Sequence, residues 1–103
     1  METETKVYTR YSILTEDIGR VGIVRLCREH KLDCTLISGV GLFGGGIESS
    51  LMLGHLSPLE ANAGEEVKAL ARDIRAINKQ KEVWITEEAV TLKKLLDNTP
   101  AVG

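Results

Sequence analysis

Residues 35–56 read TLISGVGLFGGGIESSLMLGHL, and this stretch decides the fold. Asp33–Val40 (DCTLISGV) and Ile47–Leu56 (IESSLMLGHL) alternate at the two-residue period of a β-strand. Between them, Gly41-Leu42-Phe43-Gly44-Gly45-Gly46 is rich in the residue that takes positive φ without steric penalty. The prediction is a hairpin with a six-residue, glycine-rich connection. The run Leu51-Met52-Leu53 places apolar side chains on both sides of its strand, so both faces of the sheet are expected to be covered there.

Working outward, Val7–Leu14 (VYTRYSIL) alternates and is rich in β-branched and aromatic residues, the pattern of a first strand. Thr15 follows as a helix N-cap, with Glu16 and Asp17 where negative charge suits a helix N-terminus. Ile18, Val21, Val24 and Cys27, widened by Ile23 and Leu26, trace the apolar stripe of a helix ending near His30 or Lys31. Gly19 and Gly22 weaken that helix by about 1 kcal/mol each relative to Ala, which suggests a close approach to its backbone. After the polar connector Ser57–Gly64, Glu65–Asn78 carries Val67, Leu70, Ala71, Ile74 and Ile77 on one helical face. Val83–Thr86 (VWIT) reads as a fourth strand, Glu87–Leu96 as a short extra strand and a turn of helix, and DNTPAVG as a frayed end. The order is βαββαβ. This is the α+β, ferredoxin-like arrangement, a four-stranded antiparallel sheet with two helices on one face.

At 103 residues the chain is expected to form a single domain over 1–103, with an ordered core of about 6–92 and a flexible C-terminal tail. Thirteen Lys and Arg against fifteen Asp and Glu leave a net charge of −2, which argues against a protein that tracks nucleic-acid phosphates. No apolar run approaches the roughly 20 residues that span a bilayer, and METETK lacks the character of a secretion signal. Neither membrane nor nucleic acid is expected as a partner, and a cytoplasmic location follows. Cys27 and Cys34 then read as free thiols, one packed in a helix and one opening a strand. With His30 they number three metal-capable side chains, one short of a closed zinc site, so no metal is expected.

Splitting each strand by alternation puts Tyr11, Ile13, Leu36, Leu51, Leu53 and Ile85 on the face toward the helices. The opposite face still carries Tyr8, Leu14, Ile37, Met52, Leu56 and Trp84, more apolar surface than a solvated sheet face normally shows. Self-association through this face is the expectation.

The βαββαβ order, the segment TLISGVGLFGGGIESSLMLGHL and the amphipathic helix after it resemble the PII signalling proteins and the CutA divalent-cation-tolerance proteins. Phe43, Gly45 and Glu48 occupy places comparable to the turn and acidic residue before the third strand of CutA. The resemblance spans about residues 7–92 as topology and implies a homotrimer with clefts between subunits. The metal positions of CutA and the long nucleotide loop of the PII proteins have no counterpart in this sequence.

Candidate chemistry is sparse. Gly39-Val40-Gly41-Leu42-Phe43-Gly44 spells the dinucleotide fingerprint, but a strand pattern follows it where the phosphate-binding helix must begin. Consecutive glycines can still offer backbone N–H groups to an anion. A Ser49–His55 pair on one regular strand is about 20 Å apart, too far for catalysis. Lys68, Arg72, Arg75 and Lys79 are interleaved with acids and read as a solvated helix face. Glu48 is expected to pair with Arg10 across the sheet or to line a cleft.

The reading is a non-enzymatic homo-oligomer that binds a small anionic or nucleotide-like ligand, or a metal, between subunits, in a signalling role and with no cofactor identified. Its candidate ligand residues are Arg10 for anion pairing, Tyr11, Gly44, Gly45 and Gly46 for backbone donation, Glu48, and Trp84 for stacking. Alternatives are a structural protein-interaction module, or a small dimeric α/β-barrel enzyme, which would need His30 or His55 in a closed pocket with an acid.

Overall fold

A computed structural model describes residues 2–97. Strand β1 (Glu2–Glu16) leads to helix α1 (Arg20–Glu29), then β2 (Thr35–Phe43) and β3 (Gly46–Pro58). A 3₁₀ turn (Leu59–Ala61) precedes helix α2 (Gly64–Ile77), and β4 (Trp84–Leu96) closes the order. All pairings are antiparallel and the sheet runs β2-β3-β1-β4, with both helices on one face. This is the expected ferredoxin-like α+β fold. The expected fraying of the last residues falls, from Asn98 onward, outside the described residues.

The core lies between that face and the helices. Tyr11 and Ile13 of β1 and Leu51 and Leu53 of β3 pack against Ile23, Leu26 and Cys27 of α1 and Val67, Leu70, Ala71 and Ile74 of α2. The stripe of α1 is rotated from the expected one, since Val21 is 86% exposed. The cause is the start of the helix. Thr15 does not cap it; Thr15 stays in the ladder opposite Leu51, and its hydroxyl meets the side-chain amide of Gln80 at 2.8 Å. Gly19 takes the cap position at φ 61 instead, so α1 starts at Arg20 and leaves Thr15 and Ile18 outside the helix. Gly22 then faces α2, where a Cβ would lie 3.0 Å from Ile77 Cδ1, so this glycine lets the helices close.

Three boundaries differ from expectation. The hairpin connection is not six residues long: only Gly44 (φ +55) and Gly45 (φ +81) turn, while Gly41 and Gly46 belong to β2 and β3. Two successive positive φ values make a two-residue turn whose twist matches that of the strands, so pairing can run to its edge. β4 has no terminal helical turn. It continues to Leu96 because each residue from Trp84 onward meets a partner on β1, ending with Leu96 opposite Glu2. Leu92–Leu96 is locally helix-compatible, but a ready strand edge overrides local preference. β1 likewise begins at Glu2 rather than Val7, and Lys94 stands opposite Glu4 with its ammonium 5.7 Å from the Tyr8 ring centre. The resulting two-stranded ribbon stretches the molecule to 51 × 28 × 27 Å.

Candidate functional site

Register places the side chains of the uncovered face in rows. One row crosses all four strands as Trp84, Leu14, Met52 and Ile37. Ser12 and Thr86 form the next row on one side, and Arg10 opposite Glu88 the row after it. Toward the hairpin, Glu16 stands opposite Ser50, then Glu48 opposite Gly41, then Phe43 opposite Gly46. The apolar row is open: Ile37 and Trp84 are half-exposed and Leu14 is 36% exposed.

The hairpin bends over this row. β2 and β4 are three strand spacings apart, about 14 Å in a flat sheet. Yet Phe43 of β2 meets Trp84 of β4 edge-to-face, with ring centroids 6.2 Å apart. Strong curl toward the open face closes that gap, and Gly41 makes room for it. A Cβ on Gly41 would lie 2.2 Å from Phe43 Cε2 and 2.6 Å from Ser50 Oγ.

Two hollows flank the apolar row. The first, of about 720 Å³, is walled by Trp84, Phe43, Leu14, Met52 and Ile37, by the acids Glu16 and Glu48, and by the α2–β4 connection. That connection contributes Asn78, Lys79, Gln80, Lys81 and a third acid, Glu82. Asn78 Nδ2 is buried without a hydrogen-bond partner among the described residues. Partial desolvation, the negative charge of Glu16 and a hydrogen bond with it push the Glu48 carboxyl above its usual range. The second hollow, of about 640 Å³, shares Leu14, Ile37 and Met52 and adds Arg10, Ser12, Thr86, Glu88 and Cys34.

The candidate residues are thus divided. Glu48 and Trp84 line the first hollow. Arg10 lines the second, and its partner is not Glu48: Nε and Nη2 both donate to Glu88 Oε1, at 2.9 and 2.6 Å. The reason is register, which sets Glu88 directly opposite Arg10 and leaves Glu48 beside Glu16. Tyr11 points to the helices and is buried in the core, where its hydroxyl lies 3.4 Å from the position of a Cβ on Gly64. Gly44 and Gly45 form the hairpin turn, and Gly46 opens β3 beside them. Phe43, Lys81, Gln80 and Asn78 were not singled out from sequence as ligand residues. The available signal was a lone aromatic two residues after a strand glycine, and the amide and lysine run Asn78-Lys79-Gln80-Lys81 after the second helix.

Neither histidine occupies a closed catalytic pocket. His55 Nδ1 donates to the carbonyl of Asp33 at 2.8 Å, tying β3 to the segment before β2. His30 bridges the helices, with Nδ1 2.7 Å from Glu66 Oε1 and Nε2 2.6 Å from Asp73 Oδ2. Both ring nitrogens face acceptors, so both must carry protons for both bonds to form. The Glu66 bond, with help from Asp73, raises the His30 pKa against the opposing effect of burial. His30 is therefore turned away from any metal site with the two cysteines. No group of three or more metal-capable His, Cys, Asp or Glu side chains converges among the described residues.

The sequence matches no protein-family model and no curated protein. Solved structures do match. CPII, a nitrogen regulatory PII-like protein from Thiomonas intermedia K12 bound to ADP, AMP and bicarbonate, is 12% identical with a TM-score of 0.61, covering 90% of this chain and 100% of its own. A DUF3240 family protein from Shewanella baltica OS155 is 12% identical with a TM-score of 0.56, covering 91% and 96%. A phage SAM lyase in complex with S-methyl-5′-thioadenosine is 12% identical with a TM-score of 0.58, covering 84% and 90%. This chain has the ferredoxin-like fold that these structures share. The third structure places an enzyme on the same fold, so function has to be argued from the site.

Proposed function

We propose that this protein is a non-catalytic, PII-like regulator that self-associates and binds an adenine nucleotide against its open sheet face. The observation that carries this reading is the hollow where the Trp84–Phe43 pair stands beside Lys79 and Lys81. An aromatic ring face suits a base, and the two ammonium groups suit a phosphate. The volume of about 720 Å³ is of the size that small-molecule sites occupy. Glu48 lies where a carboxyl could accept from, or donate to, a ligand hydroxyl, and Asn78 Nδ2 is an unused donor in the same wall. Support also comes from the similar folds: CPII was solved with ADP and AMP, and the phage lyase with a methylthioadenosine. Those ligands share an adenosine core.

Self-association, with a trimer as the expected form, rests on the half-exposed apolar row and on the exposed hairpin residues Val40, Leu42 and Ile47. In such an assembly Arg10 and the hairpin glycines Gly44, Gly45 and Gly46 are candidates to complete the site from another subunit. Tyr11 serves by holding β1 against α2.

Trp84 is the sole tryptophan, so its emission reports the site directly. Titration with ADP and AMP is expected to change that emission saturably, and Lys79→Gln with Lys81→Gln to weaken binding at least tenfold. Light scattering on the same samples is expected to show an oligomer. A monomer whose emission ignores both nucleotides up to millimolar concentration overturns the proposal. An oligomer equally silent to them supports the interaction-module alternative instead.

A further inference from the structure

We propose that Cys27 and Cys34 are a redox pair, converted by a small hydroperoxide into an intramolecular disulfide. The chain geometry between them brings this about. α1 ends in a Schellman turn: the Leu32 amide donates to the Cys27 carbonyl at 3.1 Å, the Lys31 amide to Arg28 at 3.1 Å, and Lys31 adopts φ 54. The turn folds the chain back, so that Cys34, just before β2, lies against the last turn of the helix. Both cysteines line one cavity of about 250 Å³ with Leu32 and Leu36, and Cys34 packs against the core cluster that contains Cys27. Cys27 is buried and Cys34 half-buried.

The shared cavity divides the labour between the two thiols. The interaction with the Cys34 side chain, together with the charge of His30, brings Cys27 down to about 7 despite burial. Cys34 is pushed up in turn, by its interaction with Cys27, by burial, and by the charges of Cys27 and Asp33. Arg28 also lines the cavity, while from α2 Glu66 and Asp73 face His30 and hold its proton. At neutral pH the pair therefore holds one nucleophile and one proton donor. The Cys27 thiolate attacks the nearer peroxide oxygen; the O–O bond breaks, and with a proton the leaving oxygen departs as water (or, from an alkyl hydroperoxide, as an alcohol), leaving Cys27 sulfenic acid. Cys34 then loses its proton and attacks Cys27 Sγ, forming the S–S bond and expelling a second water. Sulfur is oxidised by two electrons, the peroxide is reduced by two, and an external dithiol reverses the change. The cavity admits a molecule the size of hydrogen peroxide, whereas burial of Cys27 works against a bulky disulfide oxidant. Cys34 also lines the 640 Å³ hollow, so oxidation would reshape that wall; the chemistry itself stands whether or not a ligand binds there.

The test is intact mass and thiol alkylation of the full chain after hydrogen peroxide treatment. The expected product is a monomer lighter by two hydrogens, with both thiols lost together and restored by dithiothreitol. With Cys27 titrating at about 7, the initial rate should rise about tenfold from pH 6 to pH 8. Cys34→Ser keeps a hydroxyl donor and is expected to accumulate a dimedone-trappable sulfenic acid at Cys27. Two thiols that stay alkylatable after peroxide, a product cross-linked between chains, or a rate flat across that pH range each overturn the proposal.

Discussion

Replacing His30 by glutamine tests whether the inter-helix bridge is an ionic clamp. The imidazole is 14% exposed, but its partners Glu66 and Asp73 are 51% and 52% exposed. Charge-assisted hydrogen bonds between buried groups contribute about 1.5–3 kcal/mol each, and solvent at these carboxylates reduces that to about 0.5–1. Two such bonds give about 1–2 kcal/mol, which for a domain of this size is a fall in Tm of about 5–10 °C. The pH dependence discriminates. The folded protein holds the His30 proton more tightly than the unfolded chain, whose ordinary value is 6.5. The stabilisation is therefore complete below 6.5 and disappears as pH rises through the folded value. Thermal unfolding followed by circular dichroism, at one fixed protein concentration, should show the full gap between wild type and His30→Gln near pH 5.5. At alkaline pH above the folded value the gap should shrink, because the wild-type imidazole then becomes neutral and can donate from only one nitrogen. A gap that is equal at both pH values, or larger at the alkaline one, refutes the clamp and leaves packing as the cause.

Two further substitutions address local geometry. Gly41→Ala would set a methyl 2.2 Å from the Phe43 ring and displace it, and because that ring is half-exposed the stability loss should stay within about 1 kcal/mol. The Trp84 emission maximum should nevertheless shift as its edge-to-face partner leaves; an unchanged spectrum would mean that the hairpin does not curl over the sheet in solution. Lys31 and Lys79 each end a helix at positive φ, 54° and 53°, where a side chain is strained. Lys31→Gly or Lys79→Gly should therefore stabilise by about 0.5–1 kcal/mol, read as a higher urea midpoint with an unchanged m-value, and a lower midpoint would contradict the Schellman assignment.

The residues that carried the fold in sequence are those whose signal is local. The stripe from Val67 to Ile74 has the helical period and is buried as that period requires. The alternation around Leu51 and Leu53 has the strand period and faces the helices. Leu92–Leu96 misled because its local pattern suits a helix, whereas its conformation is imposed by Glu2–Lys6, some ninety positions earlier. The candidate site shows the same division. Trp84 and Glu48 were legible as an aromatic and an acid on the uncovered face, and both line the same hollow. The approach of Phe43 was not, since it depends on the curl of the whole sheet and on the space above Gly41.

Sequence alone therefore determined the kinds of element, their order and the apolar character of the second sheet face. These follow from side-chain period and turn chemistry, which act over a few residues. Tertiary structure alone decided how far β1 and β4 extend, that Arg10 meets Glu88, that His30 sits between two carboxylates, and that the two cysteines line one cavity. Apart from the thiols, each joins residues distant in the chain, and backbone register or helix packing, which no local pattern encodes, selects the partner. The thiols are near in sequence, yet their meeting still depends on the left-handed conformation of Lys31, a residue that rarely adopts it.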